Sequence, residues 1–188
     1  DAMNYACYQD ARFMIVGTPS GISLAPEGGA HQSIATPLIG ISQPGLLSFE
    51  PAFADELALI MNYGFNYLQD EAGGSIYLRL TTRSIDQPMR EIDNELKNNI
   101  ISGGYWLKKP GSNPEVIIVY QGAVASEAIE STALLGEKFK DSGVLSITSS
   151  DNLFHNWKNQ TLSLKNKTTQ SHIEKLLEFI PRDTRIIT

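Results

Sequence analysis

Two glycine-bearing segments are where this chain could do chemistry: Gly17-Thr18-Pro19-Ser20-Gly21 and Pro26-Glu27-Gly28-Gly29-Ala30-His31-Gln32-Ser33. Both follow an apolar run, and in an open α/β sheet the loops beyond the carboxyl ends of the strands are where ligands bind. Gly28 and Gly29 let the backbone approach a partner closely or adopt positive φ. His31 follows directly, and an imidazole so placed can hydrogen-bond an anionic substrate or move a proton near neutral pH. Spacing alone leaves the alternatives open. A lone histidine after glycines is more often a loop residue holding its own backbone than a catalytic group, and the Glu27 carboxylate could equally satisfy backbone N–H groups of the glycine loop or touch a ligand.

Other chemistries find less support. The glycine loop lacks the Lys-Ser or Lys-Thr ending of a P-loop and does not fit G-x-G-x-x-G. His31, His155 and His172 are far apart and no pair has a zinc-site spacing, so no metal ligand is assigned. No G-x-S-x-G elbow marks a serine nucleophile.

Something must hold these loops. Apolar runs at Phe13 to Val16, Ile76 to Leu80, Val116 to Tyr120 and Val144 to Ile147 are continuous rather than alternating, which predicts strands buried on both faces of mainly parallel sheets. A helix is predicted from Pro51, with Phe53, Leu57, Ile60, Met61 and Leu68 on one face, ending near Gly73-Gly74. A second runs from about Ala123 to Lys140, with Val124, Ala128, Leu135 and Phe139 inward and Gly143 beyond its end. A third spans about Ser171 to Phe179, where Ser171 and Glu174 have capping-box spacing. Strands alternating with helices make the class α/β, with helices covering the sheets. Residues 83–114 interrupt that rhythm: they are polar, contain Pro88, Gly103-Gly104 and Pro110-Gly111, and predict a linker between two domains with one short helix near Glu91 to Ile101. Tyr105-Trp106 is expected to pack under that linker, His155 and Trp157 to lie in a polar loop, and Arg185 to Thr188 to open a further strand.

Composition bounds the partners. The 188 residues are 41% hydrophobic and 19% charged, ordinary for a globular chain. A net charge of −6 without a basic patch disfavours nucleic acid, and no apolar run is long enough to span a membrane. The single cysteine, Cys7, is expected to be a buried thiol, and a reducing cytoplasm fits best. The triplets Asn159-Gln160-Thr161 and Asn166-Lys167-Thr168 read as chance, and the charges around Lys165 to Lys167 as a solvated surface. Both ends fall in mid-pattern, so the chain is expected to be cut from something longer.

Glu27-Gly28-Gly29-Ala30-His31-Gln32 resembles the loop that the transketolase superfamily writes as G-P-T-H-Q and homodimeric pyruvate dehydrogenase E1 enzymes as G-E-G-L-Q-H. Glu50-Pro51-Ala52-Phe53-Ala54-Asp55-Glu56-Leu57-Ala58-Leu59-Ile60-Met61 is similar to the E1 segment D-P-A-F-A-Y-E-L-A-V-I-M, at the same distance from the loop. Asp10 to Gly21 resembles the stretch leading into it, and Tyr120-Gln121-Gly122 with the following helix resembles the start of the transketolase C-terminal domain. The likeness is strongest over residues 10 to 62, weaker to about 150, and poor from Asn152 to Thr169.

The resemblance implies that residues 1–82 are the latter part of a pyrimidine-binding domain, 83–114 a linker, and 115–188 the first part of a transketolase C-terminal-like domain. It implies a thiamine diphosphate (ThDP) enzyme that decarboxylates pyruvate and acetylates lipoyl groups. His31 would then be the active-site histidine facing the ThDP-bound substrate, with Glu27, Gly28, Gly29 and Gln32 shaping the loop. Mg2+, the diphosphate and the glutamate that activates the aminopyrimidine ring would be served by regions outside this chain. Implied partners are a second subunit, since the family's sites lie between two, and a lipoyl-bearing acyltransferase. A fragment of one subunit should not turn over. One departure matters: a second loop histidine associated with acyl transfer is replaced, its corresponding positions being Ile34 and Ala35. A sugar-phosphate ThDP enzyme of transketolase or deoxyxylulose-phosphate synthase type therefore stays open, as does a non-catalytic flavodoxin-like module.

Overall fold

A computed structural model describes residues 2–20, 23–29, 36–136, 138–162 and 169–188. Helix α1 (Ala2–Tyr8) precedes three short parallel strands, β1 (Met14–Gly17), β2 (Leu46–Phe49) and β3 (Ser75–Arg79), in the order β1-β3-β2. Met14 pairs with Ile76 and Leu47 with the same residue from the other side, so β3 is the central strand and is buried along its whole length. The second sheet holds β4 (Gly104–Lys108), β5 (Val116–Gln121), β6 (Gly143–Ile147) and β7 (Arg185–Ile187) in the order β4-β6-β5-β7. Only β4 runs antiparallel to its neighbour. With α2 (Thr36–Ser42), α3 (Ala54–Tyr67), α4 (Asn94–Ser102), α5 (Ala125–Leu135), α6 (Ser150–Leu162) and α7 (His172–Leu177) flanking them, the class is α/β with mainly parallel sheets. No helix among the described residues is long and apolar enough to cross a membrane.

All four expected strands form, and so does the terminal one, but β1 is not buried on both faces. It is an edge strand among the described residues, and Ile15 and Val16 are exposed. The periodicity also passed over β2 and β4, strands of four and five residues that are too short to show a period. β4 lies within residues 83–114, and with α4 it places Ile100 and Tyr105 in one apolar cluster with Phe49, Ile60, Ile76 and Leu78 of the first sheet and α3. Phe53, beside α3, joins Ile118, Tyr120, Ala125, Ala128 and Val144 of the second sheet. Apolar clusters thus run continuously between the two sheets.

Helix boundaries show where side chains overrule pattern. α3 starts three residues beyond Pro51, because the Glu56 carboxylate accepts the N–H groups of Ala52 (2.7 Å) and Phe53 (3.0 Å) and so fixes Phe53 as the cap. It ends at Tyr67 rather than near Gly73, and its buried residues are Glu56, Ile60 and Gly64. α5 stops at Leu135, with Gly136 as its cap; Gly143 instead opens β6, and Phe139 is only half-buried. α4 is capped by Asp93, whose carboxylate accepts the Leu96 N–H at 2.7 Å, and it ends at Gly103 with φ 112°. The capping box at Ser171 and Glu174 forms as expected, on a helix of six residues. His155 and Trp157 lie on α6, not in a loop. The inward positions of that helix are Asp151 and Leu153, and the buried aspartate hides the apolar stripe. Cys7 is half-buried rather than buried, since no residue of α1 is buried. Asn159 to Thr161 sit on or beside the same α6 turn, while Asn166 to Thr168 and Lys165 lie outside the described residues.

A polar knot joins α3 to residues 83–114. Tyr105 donates its hydroxyl to the buried Glu56 carboxylate, and Arg90 donates to Tyr105 Oη (2.8 Å) and to both oxygens of Asp55 (2.7 and 2.9 Å). The Arg90 guanidinium also lies over the Phe53 and Tyr105 rings, 5.3 and 5.0 Å from their centres. Burial pushes the Glu56 carboxyl above its usual value of 4.5, against the opposing pull of its hydrogen bonds and Arg90. The native chain therefore binds more protons at Glu56 than the unfolded chain just above pH 4.5, so this residue makes stability fall as pH rises through that range. Glutamine at this position stays uncharged across that range. Urea melts across pH should show the wild-type advantage over Glu56→Gln shrinking as pH rises toward neutrality; a difference independent of pH would contradict the assignment.

Candidate active site at the ends of the first sheet

The three strands of the first sheet all run toward one edge, where Gly17, Phe49 and Arg79 are their last residues. Beyond β1 the chain passes through a cis Thr18–Pro19 peptide to the buried Ser20, then through a one-turn 3-10 helix at Ala25–Glu27. Gly28 and Gly29 follow with φ of 69° and 52°, a left-handed conformation that side chains resist. Among the described residues no heavy atom lies within 4 Å of where a Cβ would stand on either, so what calls for glycine here is the backbone turn. Glu27 is exposed on the 3-10 turn. His31, Gln32, Ile34 and Ala35 lie outside the described residues.

What holds this loop was not visible in the glycine motif. Tyr77 and Arg79 alternate on β3 and therefore share a face, which Thr81 continues. Tyr77 donates its hydroxyl to the Thr36 carbonyl (3.4 Å), Arg79 Nη2 donates to the Ser20 carbonyl, and Thr81 donates its hydroxyl to Ser23 Oγ (3.2 Å). One strand face thus grips the loop near both ends. Gly17 makes room for it, since a Cβ there would stand 2.4 Å from Tyr77 Oη.

Arg79 is 2% exposed. Its Nε lies 3.4 Å from Glu50 Oε1, close enough for an ion pair although Nε makes no aligned hydrogen bond. Glu50, just past β2, also accepts from Gln121 Nε2 (3.4 Å), and its own N–H donates to the Thr148 carbonyl (2.8 Å). Burial pushes the Glu50 carboxyl up, while the Arg79 charge holds it back only in part. Gly122, with φ 58°, packs directly on Glu50 at the end of β5. The signal for this cluster was present in the sequence: an arginine inside an otherwise apolar strand has to find a partner.

The remaining buried carboxylate is satisfied differently. Asp151 accepts the Ser48 N–H (3.1 Å) and faces His155 Nε2 (3.1 Å), while Ser149 donates to the Ser48 carbonyl (2.5 Å), so α6 closes the outer edge of β2. Burial pushes Asp151 up, with Ser48 and His155 opposing. Among the described residues no group of three His, Cys, Asp or Glu side chains could hold a metal ion.

The chain matches no family model. It is 30% identical over 151 residues to the pyruvate dehydrogenase E1 component of Buchnera aphidicola subsp. Baizongia pistaciae, covering 79% of this chain and 17% of that protein. With the Escherichia coli K12 pyruvate dehydrogenase E1 component it shares 28% over 144 residues, covering 75% and 16%. With Escherichia coli transketolase 2 the figures are 24%, 80% and 22%. The chain thus spans less than a quarter of each of these relatives. Among solved structures, the Campylobacter jejuni transketolase superposes with a TM-score of 0.67 at 18% identity over 94% of this chain and 24% of that one. A Pichia stipitis transketolase mutant gives 0.67 at 21% over 87% and 23%. A split-gene transketolase, described as an inactive β4 tetramer, gives 0.52 at 22% over 76% of this chain and 41% of that one.

Gly122→Ala meets both a left-handed backbone and a pinned Glu50 side chain, whereas among the described residues Gly29→Ala meets the left-handed backbone alone. Backbone strain of this kind costs roughly 1–2 kcal/mol. Thermal melts should show Gly122→Ala losing more stability than Gly29→Ala; the reverse order would contradict the placement of Gly122 on Glu50.

Proposed function

We propose that this chain belongs to the transketolase superfamily and contributes the substrate-facing loop of a ThDP-dependent 2-oxo acid dehydrogenase of the pyruvate dehydrogenase E1 type. The observation that carries this reading is the likeness of 28–30% to pyruvate dehydrogenase E1 components over three quarters of the chain, beside a glycine-bearing loop at the ends of a parallel sheet. When bound, thiamine diphosphate supplies the electron sink for loss of CO2 from a 2-oxo acid.

The described residues do not fit a Mg2+ site. The carboxylates of Glu50, Glu56 and Asp151 are each engaged with protein donors or cations, and no three candidate ligands converge. Mg2+ and the diphosphate are therefore assigned to regions of a longer protein outside this chain. What this chain supplies is placement and hydrogen bonding. His31 donates a hydrogen bond to the substrate carboxylate or to the oxygen on which charge develops, a contribution worth a few kcal/mol per donor. Gly28 and Gly29 turn the backbone so that the loop can present it, and Glu27 and Gln32 form the pocket wall.

The same reading makes a second subunit and a lipoyl-bearing acyltransferase the partners, and the cytoplasm the location. It also makes the chain alone inactive, in keeping with the inactive β4 tetramer described for the split-gene neighbour. A specific observation keeps a sugar-phosphate substrate as the second reading: Ile34 and Ala35 stand where E1 enzymes resemble one another in carrying a further histidine, and transketolases are among the relatives.

The test uses the complete gene product carrying this chain, with ThDP and Mg2+, and follows pyruvate-dependent reduction of an artificial electron acceptor. Turnover is expected to fall about 100-fold or more in His31→Ala, the scale for losing one such donor. Ketol transfer from a sugar phosphate without any turnover of pyruvate would overturn the E1 reading and favour the second.

A further inference from the structure

The grip of β3 on the loop has a centre. Of the three side chains on that face, Tyr77 reaches Thr36 and Thr81 reaches Ser23 through single hydroxyls, whereas Arg79 carries a charge and a planar fork. Its charge cannot be removed by deprotonation, so a guanidinium 2% exposed must be matched where it lies. Two groups match it. Nη2 donates to the Ser20 carbonyl on the loop stem, and Nε faces Glu50 at 3.4 Å, while Nη1 has no hydrogen-bond partner among the described residues. The fork therefore has one branch on the loop and one on the residue that joins the two sheets.

Glu50 is itself held. Gln121 donates to it from the end of β5, its backbone N–H is bonded to Thr148 beyond β6, and Gly122 closes over its side chain, where a Cβ would stand 2.6 Å from Cγ. A displacement of Glu50 away from Arg79 would have to break those contacts with the second sheet. The path from the second sheet to the loop is short and continuous: Gln121 and Gly122, Glu50, Arg79, Ser20.

We propose that Arg79 is the positioning residue of the glycine-bearing loop, setting the stem at Ser20 in register with the second sheet through Glu50 and thereby setting where His31 is presented. The catalytic consequence rests on the function proposed above; the placement of the loop stem does not. Lysine at this position keeps the charge but not the fork, so it can serve Glu50 or Ser20 but not both.

Hydrogen exchange by mass spectrometry on the complete gene product, wild type against Arg79→Met, Arg79→Lys and Glu50→Gln, separates this role from a general loss of stability. Exchange over residues 17–29 is expected to rise about tenfold or more in Arg79→Met while β5 and β6 stay protected, with Arg79→Lys recovering only part and Glu50→Gln loosening the same residues. In turnover assays kcat should fall in parallel with the loop exchange while KM for the 2-oxo acid changes little. If Arg79→Met fails to fold, Arg79→Lys decides by the same criteria. Exchange over residues 17–29 unchanged from wild type, or raised evenly along the chain, overturns the positioning role even if activity is lost. Loop exchange that rises as expected in a protein whose wild type turns over no 2-oxo acid upholds the positioning role and defeats the functional reading instead.

Discussion

A guanidinium sealed inside a parallel sheet is the constraint on which the rest of this structure depends. Arg79 sits at the end of the central strand, where an apolar residue would pack without any requirement. Placing a permanent charge there demands a counter-charge and hydrogen-bond acceptors at short range. Glu50 answers from the end of β2, and the Ser20 carbonyl from the segment after β1. Because those two groups lie on different elements, the demand of one side chain fixes a loop, two strands and, through Gln121 and Gly122, the second sheet.

A second polar knot does similar work at the start of α3, the helix that follows Glu50. Glu56 starts α3 by taking two backbone N–H groups, and Tyr105 and Arg90 reach it from residues that compositional reading assigned to a linker. Buried carboxylates with raised pKa are often sought as catalytic groups. Here the hydrogen-bond partners of Glu56 are all structural, and its desolvation is the result of closing the gap between α3 and β4.

Apolar runs made most of the fold legible: β3, β5 and β6 are rich in Ile, Leu and Val, and the Ser171 to Glu174 spacing announced its cap. The misses share a cause. β2 and β4 are too short to show a period, and α3 and α6 bury a glutamate and an aspartate where a stripe of apolar residues was sought. The glycine loop stood out as a candidate site because of its position after a strand and its likeness to a family loop. Its anchoring was not, because Tyr77, Arg79 and Thr81 meet Thr36, Ser20 and Ser23 only once β3 lies beside β1, and no local spacing encodes those long-range pairs.

A loop whose family likeness points to substrate chemistry is held by its stem on the scaffold, in a position to face the substrate. The most direct measurement is an experimental structure of the complete gene product with ThDP, Mg2+ and a non-reacting analogue of pyruvate. The His31 imidazole is expected within about 3 Å of an oxygen of the analogue, the ordinary reach of a hydrogen bond, with Ser20 still on Arg79. An analogue bound elsewhere, or a His31 turned away from it into the loop's own backbone, would contradict it.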